Sequence, residues 1–264
     1  MLPYVQIPEL HLGPVTLYPF GMLVATAVLL GYWLARRRAR VQGLDDVTLT
    51  ATVNWMLLAA FAGAHLFEVL CYHPEDLRQD PLVLLKFWAG LSSFGGFLGG
   101  AIAAVVVLAR RGAPILRYCD AIAWGLAPAW IVGRLGCTVA HDHPGRLTSF
   151  FLAVRYPDGP RFDLGLYEVP LALLMTAAVW LLGRRRDRPP GLLLGTMAAL
   201  YGCGRFALDF LRATDVRGAD PRYLGLTPAQ YLCLVVLAVA GVLLWHAAQR
   251  RPAAATPREG ANAA

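Results

Sequence analysis

The sequence predicts an all-α, polytopic membrane protein. It has seven transmembrane helices, its N-terminus outside, its C-terminus inside, and a small extracytoplasmic cap between helices four and five. Three observations lead there. Hydrophobic residues make up 57% of the 264 residues and charged residues only 16%, with a mean hydropathy of +0.51, a balance that excludes an ordinary soluble domain. Seven apolar segments each approach the ~20 residues a helix needs to cross a bilayer. Arginines follow every second segment, the pattern of one consistent topology.

In order, the spans cover about 17–34, 48–67, 90–109, 115–133, 166–182, 191–210 and 226–246. Helices are expected because a lone strand leaves its backbone groups unpaired in lipid. Arg36, Arg37, Arg38 and Arg40 follow the first span. Arg110 and Arg111 follow the third, with Arg117 nearby. Arg184, Arg185, Arg186 and Arg188 follow the fifth, and Arg250 and Arg251 the seventh. The positive-inside rule then sets the connections 68–89, 134–165 and 211–225 outside. In 134–165, SFFLAVRYP alternates weakly like a short strand and PDGP signals a turn. The tail from Pro252, PAAATPREGANAA, reads as disordered, leaving 1–251 as a single transmembrane domain. The opening MLPYVQIPELHLGPV lacks a positive region, so no cleavable signal peptide is expected. No internal repeat is visible.

The net charge of +7 is almost wholly arginine, Lys86 being the only lysine. Because these arginines lie in short runs between apolar segments, they signal topology rather than nucleic-acid binding. The five cysteines, Cys71, Cys119, Cys137, Cys203 and Cys233, are odd in number and show no CxxC spacing, so no complete disulfide framework is implied.

Chemistry concentrates in four places. Tyr201, Arg205, Asp209 and Arg212 are spaced four, four and three apart, which puts them on one helix face. Arg205 and Asp209 can pair at i,i+4. Charges inside a span are costly and face a bundle interior or a wet cavity, here one opening toward the outer surface. The plainer alternatives are an ion pair that fixes packing, or arginines that snorkel to the interface. Arg134, in GLAPAWIVGRLG, stands at the outer end of span four between Gly133 and Gly136. Alone it would serve as an interfacial anchor. Together, Arg134 and Arg205 suggest an anion site, because arginine stays charged and grips phosphate with two donors. The abundant anion at an outer leaflet is a phospholipid headgroup. SFGGFLGG carries Gly95, Gly96, Gly99 and Gly100, which suit close helix packing or backbone approach to a headgroup. HDHPG places His141, Asp142 and His143 shortly after Cys137. Such groups can bind zinc, but no distant ligand pair is evident, so no metal is expected. A general base, a headgroup contact or a solvated loop is the remaining reading.

Several motifs, in order over most of the chain, resemble those of the prolipoprotein diacylglyceryl transferase family. They are LYPFGMLVA, FAGAHLFEVL with His65 where an arginine is usual, SFGGFLGG for HGGxxG, Asp120 opening span four, VGRLG, DLGLYE with Tyr167 and Glu168, and YGCGRFALDFLR. The family signature GRxGNFxNxExxG reads GRLGCTVAHDHPG here. Cys137 replaces the first asparagine, His141 replaces the second or lies beside it, Asp142 replaces the glutamate, and Gly145 is kept. Phe94 stands for the HGG histidine, Phe20 for a tyrosine and Asp209 for a glutamate.

The resemblance implies a seven-helix protein of the bacterial cytoplasmic (inner) membrane, using phosphatidylglycerol and lipobox-containing preprolipoproteins and no cofactor. It implies that Arg134 and Arg205 hold the lipid phosphate, with Tyr201, Gly95, Gly96, Gly145 and Arg212 completing the site. A lipobox thiol attacks the glyceryl carbon, and glycerol phosphate leaves. Phe94 cannot act as a base, so His141 or His143, oriented by Asp142, and Asp209 beside Arg205 are the catalytic candidates. A catalytically inactive homologue that binds or moves anionic lipid is the alternative. A retinal-type receptor is disfavoured, since span seven has no lysine and Lys86 lies in an outer connection.

Overall fold

The computed structural model describes residues 1–13, 15–72, 74–87, 90–185, 187–216 and 219–250; the tail from Pro252 lies outside them. Among the described residues eight α-helices carry the fold: α1 Pro19–Val41, α2 Asp46–Phe67, a short α3 Pro74–Gln79, α4 Ser93–Arg110, α5 Ile115–Ala140, α6 Leu164–Gly183, α7 Leu192–Leu208 and α8 Pro228–Gln249. A π-helical turn, Glu68–Tyr72, extends α2, and 3₁₀ turns cover Pro81–Leu85 and Asp209–Leu211. The predicted segments all become helices. Five are long and apolar enough to cross a membrane: α1, α2 as far as Leu70, α5, α6 and α8. The apolar run of α4 is shorter, Gly95–Arg110, and α7 has 17 residues with Arg205 among them.

Local chemistry sets the ends. Asp45 caps α2 by accepting from Val47 N and, at 2.7 Å, Thr48 N. Thr227 and Gln230 close a reciprocal capping box on α8. The buried Asp120 of α5 reaches across to accept from Gly191 N and Leu194 N, each at 3.0 Å, and so satisfies the start of α7 from a neighbouring helix.

α1 packs on α5, α2 on α4, and α6 and α7 bridge α5 to α8. Small residues make these contacts close. A Cβ added to Gly125 would lie 2.2 Å from the Gly31 carbonyl oxygen, one added to Gly95 2.0 Å from that of Gly63, and one added to Gly99 2.2 Å from that of Ala59. Two buried clusters follow. One joins Ala123, Ala127, Met175, Val179, Leu193 and Met197 across α5, α6 and α7; the other joins Ala35, Ala39, Leu49, Leu108, Tyr118 and Ala121 across α1, α2, α4 and α5. Large apolar side chains such as Leu29, Trp33, Leu58, Leu174 and Val242 face outward, as a lipid-facing surface requires.

The expected cap begins later than the sequence suggests. Nothing in GRLGCTVA breaks a helix, so α5 runs on to Ala140 and stops where His141 turns left-handed, at φ 50°. Arg134 therefore lies inside α5 and not at its end. The cap itself is a three-stranded antiparallel sheet, ordered β3 Pro144–Leu147, β5 Gly159–Asp163, β4 Val154–Tyr156. Only Val154–Tyr156 of SFFLAVRYP is strand; it pairs with Gly159–Arg161 across the predicted turn. Two N-terminal strands, β1 Leu10–Leu12 and β2 Val15–Leu17, form a separate hairpin, while Leu2 bridges to Val154. Arg161 pins the cap. Its buried guanidinium donates to Gly145 O at 3.1 Å, to both Asp215 oxygens at 2.9 and 2.7 Å, and to Asp158 at 2.8 Å. Those hydrogen bonds hold the Asp158 and Asp215 carboxyls below the usual range.

Candidate functional site

The charged residues of three helices meet in one chain at the cap end of the bundle. Arg134 comes from α5, Glu168 from α6 and Arg205 from α7. Glu168 is 1% exposed and shared between the two arginines, with Oε1 2.8 Å from Arg205 Nη1 and Oε2 2.8 Å from Arg134 Nε. Arg205 also pairs with Asp209 at 2.9 Å, the predicted i,i+4 contact, and the Thr227 hydroxyl donates to the other Asp209 oxygen. Two guanidinium groups and two carboxylates thus balance to zero net charge, the condition under which burying them is tolerable. Glu168 Oε2 and Asp209 Oδ1 meet their arginines as ion contacts without the alignment of a full hydrogen bond.

Arg134 alone of the two arginines reaches open space. A cleft of about 430 Å³ runs between α1, α2, α4 and α5; Val24, Val28, Met56, Leu57 and Leu126 are among its walls, and Arg134 and Cys137 stand at the cap end. From Cys137 back to Ile122 the lining follows α5 for about 22 Å. This is an amphiphile's shape: a long apolar slot ending at one cation. Arg134 Nη2 donates to the Tyr201 hydroxyl at 3.3 Å, Nη1 lies 3.6 Å from Cys137 Sγ, and the guanidinium lies 5.6 Å from the Trp130 ring. Trp130 stacks on Phe97 with ring centres 5.3 Å apart. Its buried Nε1–H has no partner among the described residues.

The two expected phosphate-holding arginines therefore do not stand equally. Both converge on Glu168, but Arg205 sits behind it, 9% exposed and off the cleft lining. The expected wet cavity along the α7 face is instead filled by this ion network, because each charge finds a protein partner. Arg212 leaves the group altogether and pairs with Asp220 at 2.7 Å. Asp209 is fully buried against Arg205 and Thr227, which suits positioning and not contact with a substrate. Gly95 and Gly96 turn toward α2, where their neighbours are Gly63 and Ala60. Gly145 is wedged in the cap: a Cβ there would lie 2.6 Å from Phe162 Cβ and 2.7 Å from Leu211 O. The Phe94 side chain lies outside the described set.

The histidine loop also rearranges. Asp142 does not orient His141, because the left-handed turn swings that ring away to the buried Asp163, 2.6 Å from its Nδ1. The ring stacks on Tyr4 at 4.3 Å, and Asp163 also accepts from Tyr156 at 3.0 Å and caps α6 through Leu166 N at 3.1 Å. His141 is thus a joint between the N-terminal segment, the cap and α6. Asp142 pairs instead with His143. One ligand atom each of Cys137, Asp142 and His143 lies within 4.8 Å of the others. Glu168 and Trp130 are not among the site residues expected from the sequence. An acid inside the apolar run LGLYEVPLALL was the available signal for Glu168; no pattern announces Trp130.

Fold and site together define a polytopic helical membrane protein whose apolar cleft ends at a buried, carboxylate-tethered arginine. A family model for prolipoprotein diacylglyceryl transferase matches residues 9–246. The chain belongs to that family. It is 31% identical to the phosphatidylglycerol–prolipoprotein diacylglyceryl transferase of Nitratidesulfovibrio vulgaris (Miyazaki F), covering 97% of this chain and 99% of that one. It is also 31% identical to the enzyme of the same name from Azotobacter vinelandii, over 96% and 98%, and 29% identical to that of Symbiobacterium thermophilum, over 96% of each.

Proposed function

We propose that this protein transfers the diacylglyceryl group of phosphatidylglycerol to the thiol of a lipobox cysteine in a preprolipoprotein, releasing glycerol phosphate. The observation that carries it is Arg134 at the end of an apolar cleft, in a chain that belongs to this family throughout its helical region. A phospholipid enters sideways between α1 and α2 and lays its acyl chains along the slot. Arg134 faces the phosphate with Nη1 and Nη2. Charge grows on the leaving phosphate oxygen, and a preplaced guanidinium stabilises it there. Arg205 is a positioning residue, acting through Glu168 to fix the Arg134 fork. The thiol reacts as thiolate, and the His143–Asp142 pair beside Cys137 takes its proton.

The same reading sets α1, α2, α4, α5, α6, α7 and α8 as seven spans of a bacterial inner membrane, with the N-terminus and cap outside. Arginine runs support it, in the last turns of α1, at the end of α4, and just after α6 and α8. α4 and α7 are short for the hydrocarbon core, a mismatch that local bilayer thinning accommodates. Residues 1–251 form one domain in this reading.

The second reading, a homologue that binds anionic lipid without transfer, is favoured by Cys137 and Phe94 where the family motif has asparagine and histidine. Complementation of cells depleted of their own transferase separates the two. Growth with mature lipoproteins supports transfer. Failure despite good membrane expression, with phosphatidylglycerol still co-purifying, supports the binder.

A further inference from the structure

Cys137, Asp142 and His143 are the one group among the described residues whose ligand atoms approach as a metal set, all within 4.8 Å of one another. Cys137 faces the cleft from the last turn of α5, while Asp142 and His143 follow the left-handed turn at His141 that folds the chain back over that end. That turn makes a set from residues so close in sequence. Cys137 is buried, His143 half-buried and Asp142 exposed, so the group closes on the protein side and stays open on the other. Each ligand type is one zinc uses, and three protein ligands with a free fourth position is the arrangement of a catalytic rather than a structural zinc. Zn–S near 2.3 Å and Zn–N or Zn–O near 2.0–2.2 Å call for ligand separations of roughly 3.3–3.7 Å. The three atoms already lie within 4.8 Å of one another, so side-chain shifts of about 1 Å, including the parting of the His143–Asp142 pair, bring them to those separations.

Charge balance fits as well. A thiolate and a carboxylate cancel the charge of Zn²⁺, so the occupied site is neutral beside Arg134, whose Nη1 lies 3.6 Å from Cys137 Sγ. Glu168 already balances that guanidinium at 2.8 Å.

We infer that Cys137, Asp142 and His143 bind a zinc ion at the mouth of the cleft, and that its fourth position takes the thiol of the incoming lipobox cysteine. The second half rests on the transferase reading and replaces its proton acceptor. A coordinated thiol is deprotonated outright, so its proton passes to water and the sulfur remains a metal-held nucleophile. The C–S bond then forms as the glyceryl C–O bond breaks, and the electron pair leaves on the oxygen of glycerol phosphate. Zinc changes no oxidation state. The thiol-activating pole and the phosphate-binding pole then stand side by side, as a displacement at one carbon needs.

The test begins with metal alone. Full-length protein purified in detergent without chelator is exposed to zinc, desalted and assayed for metal; the same is done with cobalt, whose bond to thiolate gives a charge-transfer absorption. Wild type should retain about one zinc per chain and show the cobalt–thiolate band. Cys137→Asn, which restores the family's residue and is expected to fold, should lower retained zinc roughly tenfold or more and lose the band. His143→Ala should lose zinc in the same way, and Cys203→Ser, remote from the set, should change neither. Wild type retaining no more zinc than Cys137→Asn would overturn the inference, as would a cobalt band that survives Cys137→Asn. Peptide modification by zinc-free and zinc-loaded wild type separates the two proposals. Equal transfer by both sinks the catalytic zinc and leaves the transferase standing. Zinc bound through Cys137 with no transfer in either state keeps the site and sinks the transferase reading.

Discussion

Replacing Glu168 with glutamine removes, by an almost isosteric change, the one anion shared by two guanidinium groups. The wild-type set of Arg134, Arg205, Glu168 and Asp209 balances; the variant carries one unpaired positive charge where Glu168 is 1% exposed. At the 2.8 Å separation of each contact, an effective dielectric near 20 gives about 6 kcal/mol of gross attraction per pair. Desolvation cancels much of that, and removing one partner of a buried pair costs about 3–5 kcal/mol net. For a chain of this size each kcal/mol moves the thermal midpoint by about 2–4 °C, so Glu168→Gln should melt about 6–20 °C below wild type. The assay is tryptophan fluorescence of the purified protein in mild detergent, heated at a fixed rate. Transfer should fall about 100-fold as the Arg134 fork loses its aim, and Glu168→Asp, which restores the charge, should recover part of both. A midpoint within about 3 °C of wild type, with unaltered turnover, refutes the shared-carboxylate account.

Three further outcomes are expected. Gly125→Ala forces a Cβ to within 2.2 Å of the Gly31 carbonyl, which should cost about 1–3 kcal/mol of overpacking and be read as a lowered melting midpoint with the ion network intact. The cap should respond to acid in one direction only. Asp158 and Asp215 sit below their usual value of 3.8 because Arg161 hydrogen-bonds them; their contribution is complete above that value and lost as pH falls through the lower folded ones. Exchange of residues 144–163, corrected for intrinsic rate, should match at pH 7 and 5 and quicken at pH 3. His143→Ala should lower transfer with little change in melting, whereas His141→Ala should loosen the cap because it removes the ring that joins Asp163 to Tyr4. Unchanged turnover in a variant carrying both His141→Ala and His143→Ala would remove both histidines from the chemistry.

Much of the fold was legible because apolar length and arginine spacing report directly on what lipid permits. The same physics made Arg205–Asp209 readable, since two opposite charges one helical turn apart in an apolar run must find each other. The end of α5 was not readable. GRLGCTVA is equally good as helix or loop until the His141 turn is fixed by Asp163, Tyr4 and Tyr156, which come from distant segments. That one misplacement set Arg134 at a surface and hid the approach of Cys137 to His143. Glu168 was visible as an intramembrane acid, but its bridging role needed the relative rotation of α5, α6 and α7, which packing across small residues decides and no single helix pattern encodes.

The central claim is that Arg134 grips the phosphate of a lipid lying in the cleft while its diacylglyceryl group moves to sulfur. It is tested most directly by incubating wild type and Arg134→Gln in parallel with phosphatidylglycerol and a lipobox peptide, then weighing the peptide. Wild type should add one diacylglyceryl unit to the cysteine, and Arg134→Gln, still folded, should be about 10²–10³-fold slower. A peptide left unmodified by wild type, or modified equally by both, contradicts the account.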